Sequence, residues 1–202
     1  MPLPAMYRKR IPLLEETSVC LSENGHNDDC MITTTLTVSV LLVVLYVGAA
    51  IWTKRGLPDS ISALVHDLPK GWKWVWAAWL ALVTLTLAPA LTDAMPEGWS
   101  SLIAYLCIIC LAMTAAMPLV PGGHNTAHYA LGIASGVLSQ LCVVHISPWW
   151  LCIWSVMVVL IVDSVTYGLH KERWYERPIV LIIELLCSLV LFCALFTHIL
   201  TS

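Results

Sequence analysis

Apolar and polar residues fall in long blocks along this chain. Residues 31–52, 73–92, 100–120, 127–145, 149–167 and 178–200 form six nearly unbroken apolar runs. At a helical rise of about 1.5 Å per residue, roughly 20 residues cover the ~30 Å of a hydrocarbon core. The pattern predicts an all-α, polytopic membrane protein with six transmembrane helices. A shorter apolar period lies between the first two runs, where Leu57, Ile61, Leu64, Val65 and Leu68 recur on one helical face. Pro58 suits a first turn and Pro69 a stop, which predicts a short in-plane interfacial helix over 57–69 that keeps Asp59, His66 and Asp67 away from the acyl chains. The other loops are short, so neighbouring helices are expected to pack as antiparallel partners. The first three runs do not mirror the last three, which weighs against an inverted-repeat transporter.

Composition sharpens this. Hydrophobic residues make up 59% of 202 and charged residues 11%, against about a quarter charged in soluble domains. The net charge of −3 carries no nucleic-acid signal and there is no basic stripe, so the expected partner is the lipid bilayer and no nucleic acid. Residues 1–30 differ from the rest: polar, with Arg8, Lys9 and Arg10 but no apolar stretch of a signal peptide behind them. The expectation is a disordered tail, or a start of translation at Met31, followed by one six-helix domain over 31–202.

Lys54, Arg55, Lys70 and Lys73 flank loop one, and Lys171, Arg173 and Arg177 lie in loop five; loops two to four and the C-terminus hold no Lys or Arg. The positive-inside rule then places loops one, three and five in the cytoplasm and both termini outside. Trp72, Trp74, Trp76 and Trp79 crowd the start of the second run, and Trp99, Trp149 and Trp150 the opposite boundaries. All are expected to act as headgroup-level anchors.

Polar residues inside the apolar phase mark candidate chemistry. Asp163 lies seven residues before His170, and Glu184 seven after Arg177. Each is therefore about 10 Å inside the boundary. A charge there costs on the order of 2.5–3.5 kcal/mol, so such acids face protein and have partners. They are candidate catalytic or titrating groups; the alternative is a protonated acid bonded to Ser188, Tyr167 or a carbonyl. The fourth run opens with Pro121-Gly-Gly-His-Asn-Thr-Ala-His-Tyr129. His124 and His128 have the spacing that puts two imidazoles on one helix face, and with His66 they form a candidate zinc-ligand set. Interfacial histidines in the headgroup region are the plainer alternative, and no HExxH is present. Gly132 and Gly136 form a small-xxx-small pair that predicts close approach of another helix.

Of eight cysteines, six lie in the runs, where free cysteine is a small hydrophobe. Cys107-Ile-Ile-Cys110 resembles, over four residues, the redox pair of the vitamin K epoxide reductase family, which passes electrons to a quinone. That family uses a smaller bundle and a second, loop-borne pair, for which Cys20 and Cys30 would stand in, and no charged residue lies near to activate either thiol. The run Pro58–Trp72, with His124–Tyr129, is similar to bacterial integral membrane proteins of this size that carry no assigned activity. That resemblance covers most of 31–202 and implies an inner-membrane location and six helices, with no mechanism. Three functions follow as expectations. The first is an accessory or binding protein with an inward-facing polar pocket and a membrane-protein partner. The others are a zinc-dependent hydrolase acting on a lipid, with Asp163 or Glu184 as base, and a small proton-coupled transporter.

Overall fold

The computed structural model describes residues 13–54, 60–61, 65, 68, 70–95, 97–120, 125–150, 152–156, 158–159, 162, 166 and 179–201. Helix and short 3-10 turns account for the regular structure, with no strand among the described residues. The helices are α1 (Leu13–Lys54), α2 (Lys73–Asp93), α3 (Trp99–Ala116), α4 (Asn125–Ile146) and α5 (Ile179–Thr201). Single 3-10 turns stand at Lys70–Trp72, Met117–Leu119 and Pro148–Trp150.

Five of these helices contain a stretch long and apolar enough to cross a membrane: Cys30–Trp52, Lys73–Asp93, Trp99–Leu119, Thr126–Ile146 and Val180–Thr201. The expected run at 149–167 is described only at 152–156, 158–159, 162 and 166, all helical. Most of the expected in-plane helix at 57–69 lies outside the described residues. α1 begins at Leu13, so helix extends upstream of the apolar stretch into the polar tail.

The helices form a ring in chain order, each packed on the next, with α1 also meeting α5. Their directions follow from specific contacts. Tyr46 stacks on Trp79 while Ser39 bonds Val83, so α1 and α2 are antiparallel. Thr114 meets His128 and Cys107 meets Ser135, so α3 and α4 are antiparallel too. Trp76, at the start of α2, lies beside His128 at the start of α4. Glu184, at the start of α5, bonds Ile61 of loop one. Both α4 and α5 therefore begin at the loop-one end and run the same way.

Burial is inverted relative to a water-soluble fold. Leu45, Leu85 and Ile133, from α1, α2 and α4, are 68%, 70% and 69% exposed, and α3 and α5 show Ile109 and Leu189. Ser39, Thr84, Thr114, His128, Ser135, Ser139 and Gln140 are buried. A girdle of apolar side chains around a core containing polar ones suits lipid as solvent, because a polar group facing acyl chains has no partner. Exposed Trp52, Trp72 and Trp74 at the loop-one end, with Trp99 and Trp149 at the other, mark two boundary levels. The chain thus fits a multi-pass membrane protein.

Two clusters make the core. One joins Leu36, Leu87, Leu91, Ala104, Cys107, Cys142, Val143, Val190 and Leu195 through the half remote from loop one. The smaller one, at the loop-one end, holds Val65, Trp76 and Ala77 with Tyr46, Leu68, Trp79 and Leu80 around them.

Candidate functional site at the loop-one end

A proline sets up this site. Within an α-helix, the carbonyl of Thr114 would accept from the N–H of residue 118, but Pro118 has none. α3 ends at Ala116 and the chain tightens into the turn Met117–Leu119, where the amide of Met117 bonds the carbonyl of Met113. The orphaned Thr114 carbonyl accepts instead from Nδ1–H of His128 across the α3–α4 interface, at 3.2 Å. Because the acceptor is a carbonyl, Nδ1 carries the proton and Nε2 is the atom that titrates.

His128 is 4% exposed. Its ring lies 5.4 Å from that of Trp76 at 61° and 5.8 Å from that of Tyr129 at 65°, both edge-on. Trp76 lies 6.5 Å from Trp79, which stacks on Tyr46 at 3.9 Å. A row of five rings thus crosses from α1 through α2 to α4. The Trp79 indole N–H also donates to the carbonyl of Leu42 at 3.0 Å, fixing the row to α1. Val65 and Leu68 of loop one pack against it.

Trp76 and Trp79 are thereby corrected from membrane anchors to interior residues, Trp76 being 1% exposed, while Trp72 and Trp74 are exposed. The signal for Trp76 was in the spacing: 76, 80, 83, 87 and 91 repeat at three and four residues along one face of α2, and 74 lies on the opposite side, while Trp72 shares the spacing but stands in the 3-10 turn before the helix.

Glu184 sits at the same end. Its Oε2 accepts the backbone N–H of Ile61, tying loop one to α5, and the adjacent Ser60 is buried. The expected partner Ser188 donates at 2.9 Å to the main-chain carbonyl of Glu184, not to its carboxyl group. His66, His124 and Asp163 lie outside the described residues, His124 just before the first residue of α4. Among the described residues no three of His, Cys, Asp and Glu gather as a metal site would require.

The remaining expected sites lie elsewhere in the bundle. Cys107 is buried in the core remote from loop one and donates to the carbonyl of Ser135 at 3.6 Å, whereas Cys110 is half-buried; both are free thiols. At Gly132 and Gly136 a methyl added to either would meet no described atom within 4 Å. The buried residues of α4 include His128, Ser135, Ser139, Gln140, Cys142 and Val143. The two glycines lie about 60° and 100° around the helix from Ser135, within the arc between Ser139 and Gln140.

Polar ties between helices share one form. Ser39 Oγ donates to Val83 O at 3.3 Å, Trp79 to Leu42 O, Cys107 to Ser135 O, His128 to Thr114 O, and Gln140 Nε2 to Cys187 O at 3.0 Å. Each joins a side-chain donor to a main-chain acceptor of a neighbouring helix. Comparison with protein-family models, curated proteins and solved structures finds no match to this chain.

Proposed function

We propose that this is a six-span integral membrane protein with an accessory or ligand-binding role, exercised at the loop-one end. The sixth crossing is supported by parity. α4 and α5 run in the same direction, so the chain between Ile146 and Ile179 has to return across the bundle. Residues 149–167 are the apolar stretch available for that return. Loop charge supports an orientation with loops one, three and five cytoplasmic and both termini outside.

The observation that carries the functional reading is the ring row through Trp79, Trp76 and His128, packed against Val65 and Leu68 at its tryptophans, at the same end as the Glu184 tie. It offers aromatic surface, one titratable imidazole and a carboxylate-anchored loop. Such an assembly suits recognition of a ligand or of a partner's membrane-embedded segment. A photo-crosslinking residue at Leu68 should give one stoichiometric adduct in native membranes, lost in His128→Ala. No adduct, or one unchanged by that substitution, would sink the proposal. Single-cysteine labelling in a cysteine-free background reports the crossing separately: residues 147 and 175 should react from opposite faces of the membrane.

The hydrolase alternative keeps one point of support, the presence of His128 and Glu184 at the same end. It calls for a stoichiometric zinc ion in purified protein that is lost with His124→Ala and His128→Ala. The carrier alternative calls for pH-dependent uptake abolished by Asp163→Asn or Glu184→Gln.

A further inference from the structure

Two glycines of α4 face the interior of the bundle with open space over them. Taking His128 as zero and about 100° per residue, the buried positions run from about −40° at Cys142, through Ser135, Ser139 and Val143, to about +120° at Gln140. Gly132 stands at about +40°, in the middle of that arc, and Gly136 at about +80°. The lipid-facing residues Ile133 and Val137, 69% and 56% exposed, lie farther round. A methyl added at either glycine would nonetheless meet no described atom within 4 Å, and both glycines are only half-buried. α3 flanks the arc through its contacts with His128 and Ser135, and α5 through its contact with Gln140. The glycines therefore floor a recess between α3 and α5, about one and two turns beyond His128 along α4.

A buried polar atom borders this recess without a partner among the described residues, the side-chain oxygen of Gln140. Gln140 is 3% exposed, and its amide nitrogen donates to the carbonyl of Cys187 at 3.0 Å and to Ser139 Oγ at 3.2 Å. The Cys187 carbonyl can only accept, which tells nitrogen from oxygen in the amide. To reach Ser139 the amide turns back from about +120° toward about +20°, across the sector of Gly136. Helical side chains also lean toward the preceding turn, which here is the turn of Gly136. Ser139 Oγ itself donates to the Gly136 carbonyl at 2.7 Å, so amide, serine and glycine form one connected group. Ser135 likewise commits its proton to the Gly132 carbonyl at 2.8 Å. The polar atoms left around the two glycines are thus acceptors: Gln140 Oε1 and the lone pairs of two serine hydroxyls.

We propose that this recess binds a small neutral hydrogen-bond donor, which donates to Gln140 Oε1. A group that only accepts, such as an ether or a carboxylate, finds no donor on these side chains. A cation finds no opposite charge on Gln140, Ser135 or Ser139 and is costly among apolar residues. A buried amide oxygen in such surroundings gains from any neutral O–H that reaches it. Apolar packing closes the recess along α4, with the His128–Trp76 ring contact toward loop one and Val143 toward the other end. Two sources supply a donor small enough, water and a short-chain alcohol. The site stands on α3, α4 and α5 alone, and needs neither loop one nor a sixth crossing.

Gln140 is the only glutamine in the chain. A ¹³C label at the glutamine side-chain carbonyl, introduced by cell-free synthesis, therefore gives a single isotope-shifted infrared band. The test uses the full-length protein in phosphatidylcholine nanodiscs, where accepting a hydrogen bond lowers that band. A band already lowered without additive marks water. A band that ethanol lowers saturably, and its isomer dimethyl ether does not, marks the alcohol; with three heavy atoms, ethanol should half-saturate at about 1 mM or above. Gly132→Leu fills the recess and should return the band to its free position and abolish the response to ethanol. If that variant does not fold, Gly136→Ala, whose methyl meets no described atom within 4 Å, should raise the band or the half-saturating ethanol concentration severalfold. Three results overturn the proposal. One is a free band with no response to ethanol. Another is a lowered band unchanged in both glycine variants, which assigns the donor to the chain itself. The third is a response to dimethyl ether or to ethylammonium equal to that to ethanol.

Discussion

Replacing His128 by leucine removes the donor that serves the Thr114 carbonyl and leaves that acceptor bare in apolar surroundings. A buried acceptor without a partner costs about 1–3 kcal/mol. Hydrogen bonds between membrane helices average ~0.6 and reach ~1.7 kcal/mol. With His128 at 4% exposure, Thr114 equally buried and the two 3.2 Å apart, the expected loss is about 1.5 kcal/mol, near tenfold in the unfolding equilibrium. The substitution also removes a ring packed on Trp76, so one variant does not isolate the bond. Pro118→Ala does, because it returns an N–H four residues beyond Thr114 and gives its carbonyl a helical partner. In that background His128→Leu should cost about 1 kcal/mol less, while the lost contact with Trp76 cancels between the two backgrounds. The assay is reversible unfolding of all four proteins in mixed micelles by titration with sodium dodecyl sulfate, followed by indole fluorescence. A coupling energy below ~0.3 kcal/mol would refute the claim that Pro118 creates the acceptor His128 fills.

Three further outcomes follow from the geometry. Leu85→Arg, in the middle of α2 and 70% exposed, should impair insertion by about 2.5–3.5 kcal/mol while Leu85→Phe does not; glycosylation mapping of α2 reads both, and equal insertion would contradict a lipid-facing Leu85. Trp79→Phe should cost about 0.5–1.5 kcal/mol through loss of its bond to Leu42; the same micelle titration reads it, and an unchanged midpoint would be fatal to that bond. Gly98, with φ 103° at the start of α3, should lose about 1–3 kcal/mol on change to alanine through backbone strain. Gly71→Ala serves as the control, since a methyl there meets nothing within 4 Å, and equal losses would argue against strain.

Much of the fold was legible because membrane crossing depends mainly on summed apolarity and length. The runs at 31–52, 73–92, 100–120, 127–145 and 178–200 coincide with long helices to within a few residues. Which face of each helix turns inward was less so, since lipid and protein core are both apolar and leave little contrast along a helix. That is why Trp76 and Trp79 read as anchors among four tryptophans in eight residues. His128 was visible as a polar residue on an α4 face rich in small side chains. Pro118, four residues past Thr114, was the overlooked sign of an orphan carbonyl, although only the folded chain reveals which donor reaches it. The glycine pair predicted a close approach because small residues permit one; permission is not contact, and among the described residues a methyl added at either would meet nothing within 4 Å. Glu184 was recognised as needing a partner, but a loop amide 123 residues away has no signature in local spacing.

The helix-to-helix ties also bear on how this sequence can vary. Their donors are side chains, so Ser39, Trp79, His128 and Gln140 are constrained in kind. Their acceptors are backbone carbonyls, present whatever side chain the residue carries. Leu42, Val83, Thr114 and Cys187 are therefore free to change for any residue of fitting volume without breaking a bond. Substitution tolerance should be asymmetric across each tie, narrow on one helix and broad on its neighbour. Drift in such a protein would preserve its polar framework while erasing pairwise correlation between the positions it joins.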